Sequence, residues 1–555
     1  YDIKETALRD HGRRLCALVY QSLYAGRSSA NRQPKSASSA VNATKVATAE
    51  LSAHILAAFY FLANEAPFPA TKNWWQHVIG TPACLWQALF LARRVLPNRV
   101  VFAILDKFWT AGVAGPVWNL AKKDGTMAGG NLGPRMVLGA VEAALRGRLL
   151  HWRDEAYVEI EREAVYRDGW LGNGIRPDGC IHQHNLRLHR SDSPQVLHQM
   201  YSINYGKEFY RHVGLVMWWL HDSPAFLGNF IESAVVEAFL QCQVWLHRGS
   251  IVEPSSTGRH IDSGRLVTEV GAQDAIERAV KILVLLGHYQ KELNAALHRY
   301  ENLVPLPSYA RKANRHFYSS DVMVHHRPHF FAGLRLTSKR SVRPEGFRNG
   351  PNSDGYYQGD GWLSIIANGR EFGSKNREVF QVFDWFKVPG VTSPLAHTQQ
   401  PMQVSFTSDR AAHFTNSAHF VGGASDGYTG VAAMLLNRTT TELTAKKSWH
   451  FFSDCVVALG SDINLLQPAP ACEVVTTLNQ VVADGEVTVG LRDGKTEVHG
   501  SSSAPQTWDA RWAHHDSLGY VFLQDESETP SQSQLIRVKK NSRRIKTNED
   551  IPVFE

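Results

Sequence analysis

His329-Phe330-Phe331-Ala332-Gly333-Leu334-Arg335-Leu336 is the stretch where the hydrophobic period of this 555-residue chain changes. Phe330, Ala332, Leu334 and Leu336 alternate with His329, Phe331, Gly333 and Arg335. A period of two marks a β-strand, here with some apolar character on both faces. Upstream the period is helical. Leu138, Val141, Leu145 and Leu149 fall on one helical face, as do Ile276, Val280 and Leu283, with Asp274 and Glu277 spaced like an N-terminal cap. Downstream, Val487, Val489 and Leu491 alternate and run into the turn pair Asp493-Gly494, with Asp484-Gly485 just before, which predicts antiparallel hairpins. Residues 302–315, with Pro305, Pro307 and several basic side chains, have linker composition. The reading is therefore an α+β chain of two domains, helical over 1–305 and antiparallel β over 306–555.

Composition narrows the class. A chain with 43% hydrophobic and 20% charged residues is a folded globular one. No apolar run reaches the roughly 18 residues of a membrane span, so no membrane partner is expected. The net charge of +7 favours polyanions. The late basic cluster Arg537, Lys539, Lys540, Arg543, Arg544 and Lys546 reads as a solvated loop rather than a nucleic-acid patch. The six cysteines lie far apart in sequence without a C-x-x-C pair, so neither a zinc ribbon nor a disulfide scaffold is indicated; Cys455 and Cys472 either pair or stay free. The chain begins at Tyr1 without Met, which reads as a processed or trimmed product. Secretion is expected, and the sequons at Asn42 and Asn437 would then be glycosylation sites in a eukaryotic pathway.

Several short patterns carry no chemistry in their context. Gly423-Ala424-Ser425-Asp426-Gly427 matches a hydrolase elbow, but its surroundings read as antiparallel β. His182, His184, His325, His326, His514 and His515 lack the spacing of a zinc site, and there is no phosphate-binding or dinucleotide loop, so no metal or cofactor is expected. Five segments of the helical half are more specific. Asn73-Trp74-Trp75 offers either a stacking platform for sugar rings or core packing. The Gly-rich turn ending at Asn131, the turn 176–184 ending at His184, the segment carrying Tyr201 and Tyr205, and Ser256-Thr257-Gly258-Arg259 together supply Asn, His, Tyr and Arg. That set suits proton abstraction beside a carboxylate.

At these residues the chain resembles polysaccharide lyase family 8, the hyaluronate, chondroitin, xanthan and alginate lyases. The resemblance runs in order through Asn73–Gly80, the turn at Asn131, Pro177–His184, Tyr205-Gly206, Gly258-Arg259, Gly355–Gly361, Asp384–Gly390, Lys447–Phe452, Ala458–Asp462 and Trp512–Asp516. It implies an N-terminal incomplete (α/α) toroid followed by an antiparallel β-sandwich. It also implies that Asn131 and His184 neutralise a substrate carboxylate, that Tyr205 transfers the proton and that Arg259 supports it. Asn73, Trp74, Trp75, Arg265, Glu345 and Asn352 would contact the substrate, an anionic polysaccharide, and a monomer is expected.

The chain departs from the family in four places. His184 and Tyr205 are separated by a long segment, His189 to Met200, expected to form an extra loop, which makes Tyr201 a rival base. A second family Arg is replaced by Ser263, with Arg265 nearby, and Pro351 stands where the family has Glu, leaving Glu345 as the substitute. The chain ends at Glu555 where the family usually continues, so either a piece is missing or the β portion is short. The missing Arg and Glu lean the substrate towards polymannuronate, with a hyaluronan or chondroitin lyase as the alternative. Two other readings remain open: a non-catalytic polyanion-binding protein, and a glycoside hydrolase using Asp124 and Asp178, which read better as structural caps.

Overall fold

The computed structural model describes residues 13–19, 52–66, 75–110, 129–166, 173–184, 186–188, 195–248, 251–263, 270–301, 314–344, 357–372, 379–395, 416–438, 443–465, 473–483, 485–499, 506–523, 535–538, 540–544 and 550–554. Internal contacts divide the chain into two compact units, residues 1–165 with 208–232, and residues 166–207 with 233–555. Between the helix that ends at Glu301 and the sheet that begins at Asn314 the secondary structure turns from mainly helical to mainly β, a four-residue helix at Val379–Val382 apart, while the line between compact units falls elsewhere. Among the described residues no helix is long and apolar enough to cross a membrane.

In the first unit, helices α1 (Thr81–Ala92), α2 (Asn98–Leu105), α3 (Leu132–Leu145) and α4 (Leu149–Ile160) follow one another. Leu85, Leu89, Val101, Ile104, Leu105 and Leu138 meet Phe59 and Leu62 in one core, as their helical spacing requires. The apolar face read across Leu138 to Leu149 belongs to two helices rather than one. Gly147 sits at φ 72°, a left-handed conformation that ends α3 after Leu145 and lets α4 start at Leu149.

Helices α5 (Asn204–Leu220), α6 (Asn229–Cys242), α7 (Val270–Val284) and α8 (Gln290–Glu301) follow before the β half. α7 starts at Val270, so Asp274 and Glu277 are interior rather than a cap, and Glu277 instead pairs with Lys281 one turn on. The first half is not all helix. Short antiparallel hairpins pair β1 (Gly174–Ile175) with β2 (Ile181–His182), β3 (Leu186–Leu188) with β4 (Gln195–Gln199), and β5 (His247–Arg248) with β6 (Ile251–Val252). Most of these strands are two or three residues long, too short for alternation to be read.

The β half begins with β7 (Asn314–Phe317), β8 (Val322–His326), β9 (Phe331–Arg335), β10 (Ser341–Val342) and β11 (Trp362–Ile366), of which β11-β9-β8-β7 form an antiparallel sheet. β10 instead lies parallel to β4. After β12 (Thr392–Leu395) come β13 (Val421–Ser425), β14 (Gly430–Arg438), β15 (Leu443–Phe451) and β16 (Val456–Leu465), a second antiparallel sheet, and β17 (Glu473–Thr476), which returns to β12. Met323, Ala332, Leu334 and Leu336 of the first sheet meet Ala432, Met434, Leu436, Leu443, Trp449 and Phe451 of the second. That shared core makes the pair a sandwich. The other face of the first sheet is buried too: Gly333 abuts Glu253, and Arg335 donates to Ser341 Oγ at 3.2 Å and to the Val342 carbonyl at 2.9 Å. This is why His329–Leu336 reads as apolar on both sides.

The elbow-like Gly423–Gly427 is the end of β13 and its turn into β14, where Asp426 accepts the Tyr428 and Thr429 amides at 2.7 and 2.6 Å. Val487–Leu491 pairs with Thr496–His499 across a turn with Gly494 at φ 85°, as the Asp493-Gly494 pair requires.

Candidate active site

The turn at 176–179 is closed by Arg176 N–H to the Cys180 carbonyl at 2.7 Å and Gly179 N–H to the Arg176 carbonyl at 2.8 Å. Asp178 anchors it. Its carboxylate accepts the Cys180 amide at 3.1 Å, the Ser319 amide at 3.0 Å and the Ser320 hydroxyl at 3.2 Å, tying the β1–β2 hairpin to the loop between β7 and β8. His182, buried in β2, spends its Nε2 on Ser320 Oγ at 2.9 Å and so serves the same joint.

His184 and Tyr205 are brought together by the segment that separates them. Residues 186–188 pair antiparallel with 195–197, and the chain after β4 returns antiparallel to β2, with the Gln183 amide donating to the Gln199 carbonyl at 3.0 Å and the Tyr201 amide to the Ile181 carbonyl at 2.8 Å. The expected extra loop is thus a strand pair in its described parts. Buried Gln199 donates its amide to the His184 carbonyl at 3.3 Å, holding a backbone that sits at φ 55°, where a non-glycine residue is uncommon. α5 then opens with the Tyr205 amide on the Tyr201 carbonyl at 3.0 Å.

The resulting geometry is a hydrogen bond of 2.9 Å between Tyr205 Oη and His184 Nε2. Both residues are half-buried. The two tyrosines have different settings. Tyr201 is fully buried, its ring edge-on to His184 and Tyr205 at centroid distances of 5.7 and 5.2 Å, whereas Tyr205 keeps partial exposure. The other flank of Tyr201 is Gly258, at φ 61°, where any Cβ would enter the Tyr201 ring. Glycine is required twice over there, by conformation and by contact. The backbone of Arg259 follows directly.

Two glutamines and a glutamate that no motif pointed to complete the support. Buried Gln243 donates to the Ser202 carbonyl at 2.7 Å and lies where a side chain at Gly206 would have to be. Glu253, buried below the Gly258 segment, accepts the Ser255 amide and hydroxyl at 3.1 and 2.8 Å. Burial pushes its carboxyl up, and those bonds and the Arg335 charge pull it back.

Asn131 belongs to the first unit. It ends the tight turn Gly129–Asn131, whose Gly129 amide donates to Glu163 at 2.9 Å, and precedes α3 without giving its side chain to the helix end. Gly133, the second residue of α3, abuts the backbone of Glu208 and Phe209 so closely that a Cβ would approach their carbonyls at 2.7 and 2.8 Å. Trp75 is half-buried at a helix start, its ring 2.8 Å from where a Cβ of Gly80 would be. Asn73, Trp74, Asp124, Arg265, Glu345, Asn352, Cys472 and the side chain of Arg259 lie outside the described residues.

A helical toroid followed by an antiparallel β-sandwich is the class of fold these elements define, and it is the fold of a solved chondroitinase AC lyase studied with bound oligosaccharides. The two structures agree with a TM-score of 0.69 over 91% of this chain and 69% of that one, at 21% identity. Residues 312–550 match the family model of polysaccharide lyase family 8, super-sandwich domain. In sequence the chain is 26% identical over 462 residues to a chondroitinase AC of Pedobacter heparinus, covering 82% of this chain and 58% of that enzyme. It is 23% identical over 470 residues to a hyaluronate lyase of Enterococcus faecalis, covering 75% of this chain and 44% of that enzyme. The chain thus spans less than two thirds of the length of these relatives.

Proposed function

We propose that this protein is a polysaccharide lyase that cleaves a uronate-containing polymer by β-elimination, with Tyr205 as the proton-transferring residue. The observation that carries the proposal is the 2.9 Å bond between the partly exposed Tyr205 phenol and His184. Tyrosine is a weak base at its ordinary pKa near 10, and an imidazole N–H aimed at the phenolate oxygen stabilises the ionised form. The phenolate takes the C5 proton, electrons move into a C4–C5 double bond, the C4–O bond breaks, and the phenol returns its proton to O4. One residue serves as base and acid, and no water is consumed. The C5 proton is weakly acidic because the adjacent carboxylate opposes further negative charge; by the family resemblance Asn131 and His184 are the groups assigned to neutralise it. The buried setting of Tyr201 favours Tyr205 over it.

For the substrate, the relatives named above are a chondroitinase and a hyaluronate lyase, which favours a glycosaminoglycan of the chondroitin or hyaluronan kind. The polymannuronate expectation finds no support among them. Polymers of this size do not cross a cell membrane, so we place the activity outside the cell and expect it of a monomer. Replacing Tyr205 by Phe tests the assignment: turnover is expected to fall by about a hundred- to ten-thousand-fold with KM nearly unchanged. Unaltered turnover would remove Tyr205 from the chemistry.

A further inference from the structure

Cys180 and Cys242 are 62 residues apart in the chain, yet their sulfurs lie 3.1 Å from each other, both fully buried. Cys180 closes the Asp178 turn, and Cys242 is the last residue of α6. Gly179 makes the approach possible. At φ 87° it lays the turn on the helix, where an added Cβ would come within 2.9 Å of Gln241 Cβ and 3.4 Å of Cys242 Cβ.

We propose that Cys180 and Cys242 are joined by a disulfide in the protein folded under oxidising conditions. The oxidant is a disulfide, either a small molecule such as glutathione disulfide or the active-site disulfide of an oxidoreductase. One cysteine thiolate attacks it and displaces one of its sulfurs as a thiol; the second cysteine then attacks the mixed disulfide and displaces the other. The two cysteines lose two electrons and two protons in all, and the oxidant is reduced to two thiols. The bond ties the strand leading to His184 to the helix end leading to Gln243, which supports Ser202 and Gly206 beside Tyr205. Burial pushes the Cys180 thiol well above its ordinary range, so it is a poor nucleophile once packed and the bond closes while the chain is folding. Once closed, the bond is shielded from reductants by the same burial. The other described cysteines, Cys16, Cys84 and Cys455, are only partly buried or exposed.

The inference stands on the thiol geometry and not on the lyase reading, and its test needs no activity. The protein is refolded with a glutathione disulfide buffer, acid-quenched, denatured without reductant, alkylated, digested and mapped by mass spectrometry. The expected result is a linked pair of peptides carrying Cys180 and Cys242, released by reductant, with a thermal midpoint several degrees higher in the oxidised protein than in the reduced one. In Cys242→Ala that difference is expected to vanish. Alkylation of both residues in the denatured, unreduced protein, or linkage of either to another cysteine, would overturn the proposal.

Discussion

At the scale of single residues, the account turns on side chains whose conformation leaves no alternative occupant. Gly258 is one: its positive φ and its contact with the buried Tyr201 ring make any side chain strained and obstructed at once. Gly258→Ala is expected to lower unfolding stability by about 2–4 kcal/mol, read by denaturant titration. Tyr205→Phe, in contrast, removes one hydroxyl from a half-buried position and is expected to leave the unfolding free energy within about 1.5 kcal/mol of the parent while turnover falls by about a hundredfold or more. Together the two variants distinguish a structural role at Gly258 from the proposed chemical role at Tyr205. Both Tyr205 and His184 stood out in the sequence by residue type and motif. What the sequence withheld was the choice between Tyr201 and Tyr205, because burial distinguishes them and burial depends on Gly258, more than fifty residues away. Gln199 and Gln243 were illegible for the same reason: an amide aimed at a carbonyl across the fold leaves no local pattern.

At the scale of elements, the hairpin that carries His184 depends on Asp178, whose three hydrogen bonds join it to the β7–β8 loop. Asp178→Ala strands two buried amides and is expected to cost about 2–5 kcal/mol, with kcat falling alongside; unfolding curves and kinetics on the same samples check it. The reading of Asp178 as a structural cap fits its partners. A second element-scale expectation concerns β15. Lys447 is buried there, donating to Thr392 Oγ1 at 3.0 Å and to the Gly390 carbonyl, and burial pushes it from its ordinary 10.5 down to about 8. Between pH 8 and 10.5 the unfolded chain keeps this proton and the folded one has released it, so its contribution to stability rises with pH across that window, by up to about 3 kcal/mol. Unfolding free energies of parent and Lys447→Met at the two ends of the window are expected to differ by that increment; parallel curves would refute it. The long strands were legible because alternation had room to repeat, as in Phe330–Leu336. The two-residue strands at 174–182 and 247–252 were not, and the break at Gly147 hid inside an unbroken apolar stripe because a left-handed residue leaves the hydrophobic spacing intact.

At the scale of the whole molecule, the order of helices followed by antiparallel sheets was written in the change of period, and the positive net charge pointed to a polyanion. Substrate identity was not written there. Uronates that share their configuration at C5 present the same proton to the same tyrosine, so the lean to polymannuronate rested on two absent side chains rather than on any group present. The proposal takes chondroitin or hyaluronan instead, after the chondroitinase and the hyaluronate lyase that the chain resembles. The most direct measurement is the growth of ultraviolet absorbance from the C4–C5 double bond on chondroitin, hyaluronan, xanthan, glucuronan, polyguluronate and polymannuronate. The account predicts growth on chondroitin or hyaluronan, abolished in Tyr205→Phe. Growth on polymannuronate alone would keep the elimination and contradict the substrate; a flat trace on every polymer from folded protein, with binding to any of them, would contradict the central claim and make this a polysaccharide-binding protein.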